Sequence, residues 1–308
     1  MIQPSKVDGT VKIYYNIEND HLKDVKTTDT EKYTFARPEY FDLDQIFDCG
    51  QCFRFDRNAD GGYDGIAFGM PVTVAQDDKT VTVCGVDSNS FQHVWRDFFA
   101  LNDDYSGIRD DISLRFGNDE TIRNAMTAGH GIRILHQDPW ETVCSFIISQ
   151  NNNIPRIKKI ISAMSERFGE KKVFCGKDYY TFPTPEALAN AGEEEIFSLR
   201  TGFRAAYIYD AAKKIADGTL QLETLRDLPT DEVMSKLMTV KGIGPKVAAC
   251  AALFGFGKTD AFPIDVWMKK VMAKYYPSGL DIPSLGRYAG IAQQYLFYYE
   301  RYQVENRT

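Results

Sequence analysis

The feature that most limits what this chain can fold into is a change of hydrophobic period part-way along it. Between about residues 10 and 100, β-branched and aromatic residues fall in short alternating runs at 11–17, 72–74 and 80–83. Turn signals separate them at Asp60-Gly61-Gly62 and Asp77-Asp78. From about residue 120 the apolar spacing becomes helical. Asp138 suits a helix cap, Pro139 its first turn, and Glu141 completes a box-like pattern. Trp140, Val143, Cys144, Ile147 and Ile148 then make one apolar face, which stops at Gln150-Asn151-Asn152-Asn153. A second helix starts at Pro155 and offers Ile157, Ile160, Ile161, Met164 and Phe168. Further helices are predicted at about 204–216, 230–238, 245–254, 265–275 and 287–302. Strands followed by helices, without repeats, predict an α+β chain. Its 308 residues exceed one typical domain. The division expected is an antiparallel sheet domain over 1–130 and a helical domain over 131–308.

The two halves differ in charge. Residues 1–130 hold 13 basic and 23 acidic residues, and residues 131–308 hold 23 and 20. The acidic total argues mildly against a polyanion partner, so only local clusters argue for one. Two exist. Arg156, Lys158, Lys159, Arg167, Lys171 and Lys172 face only Glu166 and Glu170, and seven lysines within 236–274 face only Asp260 and Asp265. No apolar run reaches the roughly 18 residues that span a bilayer. The opening MIQPSKVDGT lacks a basic-then-apolar pattern, so an intracellular protein with no membrane association is expected.

Six cysteines, Cys49, Cys52, Cys84, Cys144, Cys175 and Cys250, are then expected to be reduced. Cys49-Gly50-Gln51-Cys52 has a spacing used for zinc or redox work. With no second pair nearby, two small residues in a glycine turn explain it better. No cysteine follows Cys250, which excludes a C-terminal iron–sulfur loop.

The richest stretch is Met238-Thr-Val-Lys-Gly242-Ile-Gly244-Pro245-Lys246, a doubly glycine turn between two short helices. Glycines permit positive φ and close approach of a ligand. Free amides at the start of the second helix suit a phosphate. Lys246 sits in that helix's first turn, where the dipole disfavours an ammonium. Such a conflict is expected at functional sites and would help an amine become a nucleophile. Cys250 lies one turn on, on the same face. Asp265, in Phe262-Pro263-Ile264-Asp265, suits an N-cap, and a carboxylate beside a lysine could also tune it. Spacing alone leaves both roles open.

GIGPK followed by PID resembles the helix–hairpin–helix DNA glycosylases. Gln137-Asp138-Pro139, Ser145-Phe146, Asn151 to Arg156, Gly202-Phe203-Arg204 and Tyr288 to Gln293 with Leu296-Phe297 resemble the 8-oxoguanine DNA glycosylase/AP lyases, over roughly residues 40–300. The resemblance implies a twisted antiparallel sheet domain before a wholly helical helix–hairpin–helix glycosylase domain, with the hairpin at about 238–247. It implies that Lys246 attacks the sugar C1′ and forms a Schiff base, assisted by Asp265. Gly50, Cys250, Gln293 and Phe297 would form the base pocket. Asn151 would fill the gap left by the flipped base, and Arg156 and Arg204 would hold the orphan cytosine. Phe203 would act as a wedge. Gly242, Gly244 and Val247 would present backbone to phosphate, and the carbonyls of Met238, Val240 and Ile243 would hold a structural cation. The partner implied is duplex DNA with oxidised guanine. No cofactor or catalytic metal is implied, the chain is expected to act as a monomer, and it would work in the cytoplasm, nucleoid or nucleus. Two positions depart from the pattern. Phe203 stands where tyrosine is common, and Trp267 replaces a histidine that contacts phosphate. A non-catalytic hairpin module, a glycosylase for another damaged base and a zinc or redox protein built on Cys49 and Cys52 are the alternatives.

Overall fold

The computed structural model describes residues 31–305, so the strand expected at 11–17 lies outside them. Five antiparallel strands form the N-terminal sheet: β1 (Lys32–Ala36), β2 (Phe55–Arg57), β3 (Tyr63–Ala67), β4 (Met70–Gln76) and β5 (Thr80–Cys84). Their order is β1-β5-β4-β3-β2. The period-two pattern explains the faces. Val81 and Val83 are buried while Thr80 and Thr82 are only half-buried. Both expected turns are present. Asn58 accepts the Asp60 and Gly62 amides at 3.1 and 2.9 Å, and Asp77 accepts those of Lys79 and Thr80 at 2.8 and 2.7 Å. Helix α1 (Leu43–Asp48) lies between β1 and β2, capped by Asp42 on the Gln45 amide at 3.0 Å.

Helix begins well before residue 120. Short helices α2 (Ser88–Ser90) and α3 (Arg96–Phe98) flank a π turn at Phe91–Trp95. They lay Phe91, Trp95, Phe98 and Phe99 against the sheet, with Tyr33 stacked on Phe91 at 3.9 Å. Wide π turns and a run of aromatics erase the 3.6-residue period there. Helices α4 (Tyr105–Phe116) and α5 (Glu120–Ala128) join the second, helical core.

That core contains α6 (Pro139–Ser149), α7 (Ile154–Phe168), α8 (Pro185–Ile196), α9 (Arg204–Ala216), α10 (Thr230–Leu237), α11 (Pro245–Phe256), α12 (Val266–Tyr275) and α13 (Ala289–Glu305). All the helices predicted from the sequence are present within a few residues at each end. The helical half is not helical throughout, because a hairpin of β6 (Lys171–Phe174) and β7 (Lys177–Tyr180) interrupts it. Four-residue strands of mixed charge carry too little pattern to be read. Among the described residues no helix is long and apolar enough to cross a membrane.

One charged cluster ties the connector ahead of α6 to the sheet's cover. His136 Nδ1 lies 3.0 Å from Asp97 and Nε2 3.2 Å from Asp103. Burial opposes the imidazolium, but the two carboxylates outweigh it and lift the imidazole to about 10. A folded value above the ordinary 6.5 stabilises fully below pH 6.5 and is lost as pH rises through about 10. His136→Gln is therefore expected to cost about 2 kcal/mol near pH 6. It should also flatten the fall in melting temperature between pH 6.5 and 10 that the wild type shows. Thermal unfolding against pH checks both, and equal slopes would disprove the role.

Candidate active site

Two helices build the centre of the site. Asp138 caps α6 by accepting the Glu141 amide at 2.7 Å, with Pro139 at the first turn. Helix α11 is buried from Val247 to Phe256 and rich in alanine, so it threads the middle of the core. The pair is antiparallel. Gly255, near the end of α11, approaches Thr142 and Pro139 at the start of α6 so closely that an added Cβ would sit 3.1 Å from Thr142. The opposite ends therefore meet, where Lys246 Nζ donates to Ser149 Oγ at 3.2 Å. Nζ also lies 5.6 Å from the Phe146 ring centroid.

Lys246 is half-buried and hydrogen-bonds towards Cys250 one turn along. Burial pushes the Cys250 thiol up to about 11, Lys246 counteracts this and the Asp265 carboxylate adds to it, so the three share one electrostatic environment. Asp265 fulfils its expected cap, accepting the Met268 amide at 2.8 Å at the start of α12. Helix α11 itself begins at Gly244 without any side-chain cap. A Cβ on Gly244 would meet nothing within 4 Å, so the face in front of the Lys246 and Val247 amides is open.

The CxxC turn is the wall of a second group. Gly50 has φ +76°, and its missing Cβ would lie 3.5 Å from the Phe297 ring. Carbonyls on either side of Gly50 are occupied, that of Cys49 by Gln294 Nε2 and that of Gln51 by Gln137 Nε2 at 2.8 Å. The Gln51 side chain is buried and bonds the carbonyls of Ile46 and Arg133 and the amide of Leu135. Burial lifts both turn thiols, Cys49 and Cys52, to about 12, which leaves them unreactive at neutral pH. Gln293, one turn before Phe297 on α13, is 3% exposed and its Oε1 has no hydrogen-bond partner. An orphaned buried acceptor points to a missing donor. Phe146 links the two groups, since its ring lies under Lys246 and edge-on to Phe53 at 5.8 Å.

Residues 33–143 match the family described as 8-oxoguanine DNA glycosylase, N-terminal domain, and residues 144–282 match the HhH-GPD superfamily of base excision DNA repair proteins. The chain is 30% identical over 283 residues to the N-glycosylase/DNA lyase OGG1 of Arabidopsis thaliana, which covers 83% of this chain and 76% of that protein. It belongs to the 8-oxoguanine DNA glycosylase family. Another family relative, the N-glycosylase/DNA lyase of Saccharomyces cerevisiae, is 36% identical over 49% of this chain and 44% of its own length. A probable N-glycosylase/DNA lyase of Methanothermobacter thermautotrophicus is 29% identical over 53% of this chain and 58% of its own. The chain thus spans about half the length of those two relatives. Among solved structures, the 8-oxoguanine glycosylase/lyase of Clostridium acetobutylicum, in complex with duplex DNA carrying cytosine opposite 8-oxoguanine, superposes with a TM-score of 0.81 at 39% identity. That match covers 90% of this chain and 99% of that one.

In this member of the 8-oxoguanine DNA glycosylase family the Gln150 to Asn153 linker is fully used. Asn152 Nδ2 donates to the Ile148 carbonyl at 3.0 Å and closes α6, and Asn153 caps α7 by accepting the Arg156 amide at 3.0 Å. Asn151 is exposed in the left-handed region, φ +47°, which asparagine tolerates better than most residues. Arg156 is exposed beside the Arg200 carbonyl at 3.4 Å. Arg204 is not presented outward in the same way. It is 3% exposed, and its guanidinium bonds the carbonyls of Gln150, Asn151 and Thr201. A cation there satisfies the free carbonyls at the end of α6. Burial, and secondarily the Arg156 charge, lower its basicity, which places the two arginines together. Exposed Phe203 meets Arg204 at 4.5 Å and Tyr207 edge-on at 5.7 Å.

Several contributors have no sequence motif. Asp210 accepts the Lys241 amide at 2.7 Å, and Lys214 donates to the Thr239 carbonyl at 2.6 Å, so α9 braces the hairpin. Burial works against the Asp210 carboxylate, but the Lys214 and Lys241 contacts outweigh it and hold its pKa below the ordinary value. Glu300 accepts from Lys274 at 2.8 Å and Tyr275 at 2.9 Å, which fastens α13 to the helix that bears Asp265. Of the carbonyls expected at a cation, that of Val240 accepts the Ile243 amide at 3.1 Å. Lys270 Nζ lies 4.1 Å from the centre of the ring of Trp267, one of the two positions expected to depart from the family pattern. The cluster at 156–172 is partly neutralised by pairs such as Lys158 with Asp56 and Lys171 with Asp178.

Gly242, φ +78°, has no room for a side chain, since a Cβ would stand 2.2 Å from the Tyr207 ring. Gly242→Ala is expected to cost about 2–3 kcal/mol, combining backbone strain with displacement of that ring. Urea unfolding measures it, and a change under about 0.5 kcal/mol would show that the turn relaxes freely.

Proposed function

We propose that this chain is a bifunctional DNA glycosylase and AP lyase that takes 8-oxoguanine out of duplex DNA opposite cytosine. The observation that carries the reading is the Lys246 amine, held half-buried between Ser149 and Cys250 in a field shared with Asp265. A lysine serving only as a phosphate contact would stand in solvent.

The geometry supports the following chemistry. The Nζ lone pair bonds to C1′ as the bond from C1′ to the base breaks. The base leaves with the electron pair and takes up the proton the nitrogen sheds. Opening of the sugar ring gives the Schiff base, and loss of a C2′ proton expels the 3′ phosphate. Asp265 stabilises positive charge on the sugar. No electrons change hands, so no redox cofactor is required. Gly50 offers a carbonyl in a turn whose neighbouring carbonyls are occupied. It accepts the N7 hydrogen of the lesion and opposes the N7 lone pair of guanine, a difference of about 1–3 kcal/mol. Gln293 Oε1 takes a donor from the Watson–Crick edge, and Phe297 and Cys250 wall the base. Asn151 and Phe203 fill and pry the helix. Arg156 holds the cytosine, joined by Arg204 once its carbonyl contacts open. The Gly242 to Val247 backbone grips phosphate, and carbonyl oxygens of Met238, Val240 and Ile243 suit a hard cation. The chain acts as a monomer wherever its genome lies, in cytoplasm, nucleoid or nucleus.

Borohydride trapping on duplexes holding 8-oxoguanine opposite each of the four bases tests this. Covalent capture, strongest opposite cytosine, is expected. DNA affinity without capture would favour a non-catalytic hairpin module instead.

A further inference from the structure

We propose that Ser149 is a positioning residue for the nucleophile, fixing the direction in which the Lys246 amine presents its lone pair. This rests on the reading of Lys246 as the attacking group. Ser149 closes α6 and Lys246 opens α11, so the antiparallel pairing of these helices sets them side by side, with Nζ 3.2 Å from Oγ. The serine's second contact decides which partner donates. Its hydroxyl gives its hydrogen to the Phe146 carbonyl at 2.8 Å. A hydroxyl has one hydrogen, so only lone pairs remain to face the lysine. An N–H of Lys246 must therefore point at Ser149.

The Phe146 ring face, 5.6 Å from Nζ, attracts positive hydrogens from the same side. With one N–H held by Ser149 on α6 and a second hydrogen bond made towards Cys250 on α11, the lone pair of the neutral amine is left facing away from both. Ser149 neither gains nor loses a proton when Nζ bonds to C1′ and the base departs. Its contribution is orientation, which converts a freely rotating amine at the end of four single bonds into one with a preferred approach.

Three chains decide the matter: wild type, Ser149→Ala and Ser149→Thr. Ser149 is half-buried at a helix end, so alanine leaves no large void, and thermal unfolding of both variants confirms that they fold. Single-turnover excision and the rate of borohydride trapping are measured on an 8-oxoguanine duplex. Affinity is measured on a duplex with a tetrahydrofuran abasic analogue. Ser149→Ala is expected to slow excision and trapping about ten- to thirtyfold while affinity stays within about twofold. Ser149→Thr, which keeps the hydroxyl, is expected to recover most of the rate. Wild-type rates in Ser149→Ala, or Ser149→Thr as slow as Ser149→Ala, would overturn the proposal alone. A wild-type chain that is never trapped would overturn the reading of Lys246 and this inference with it.

Discussion

Replacing Lys246 with glutamine is expected to slow excision of 8-oxoguanine by at least about 10⁴-fold and to abolish borohydride trapping. The amide has no lone pair basic enough to bond C1′, so the route through a covalent intermediate closes. The fold should survive. Glutamine is one bond shorter, Lys246 is only half-buried, and losing a positive charge from the first turn of α11 relieves the dipole conflict by about 0.3–1 kcal/mol. Cys250 would lose the neighbour that holds its thiol down, so its titration should move further up. Affinity for the abasic-analogue duplex is expected within about tenfold of wild type, because one charge is a small part of a DNA interface. Gel-resolved excision and trapping read the first effect, and thermal unfolding reads the second. Normal excision by Lys246→Gln would remove the chemical basis of the proposed function.

The next largest effect is expected at Asp265, where two roles coincide on one carboxylate. As a cap it accepts the Met268 amide at 2.8 Å. Asparagine caps helices about as well as aspartate, so Asp265→Asn should change stability by less than about 0.5 kcal/mol. It removes the negative charge, however, and excision is expected to fall about 10²- to 10³-fold through lost stabilisation of the developing sugar cation. Asp265→Ala should lose both functions, adding about 1 kcal/mol of destabilisation. Chemical unfolding beside single-turnover kinetics separates the roles. Parallel losses of stability and rate in the asparagine variant would show that the carboxylate acts only as a cap.

Residues legible in the sequence share a local signature. Asp138 and Asp265 announce helix starts because capping involves an amide only three residues on. Lys246 stands out because its charge conflicts with the turn that contains it. The resemblance to a known family directed attention to Gly50, which composition would leave as an ordinary turn. Ser149, Tyr207, Asp210 and Gln294 were illegible for the opposite reason. Ser149 meets Lys246 across 97 residues of chain, and Gln294 meets Cys49 across 245. Only tertiary packing gives them a role. Arg204 shows the converse limit, since its motif says nothing of the three carbonyls that occupy it. The helices covering the sheet escaped notice because a π turn and consecutive aromatics carry neither a helical nor a strand period.

The Tyr207 ring fills the space a side chain on Gly242 would need, and its edge meets Phe203. The loop proposed to clasp the strand and the aromatic proposed to probe between its steps therefore lean on one shared ring. Trimming Tyr207 would loosen both supports at once, so grip and probing would weaken together rather than separately.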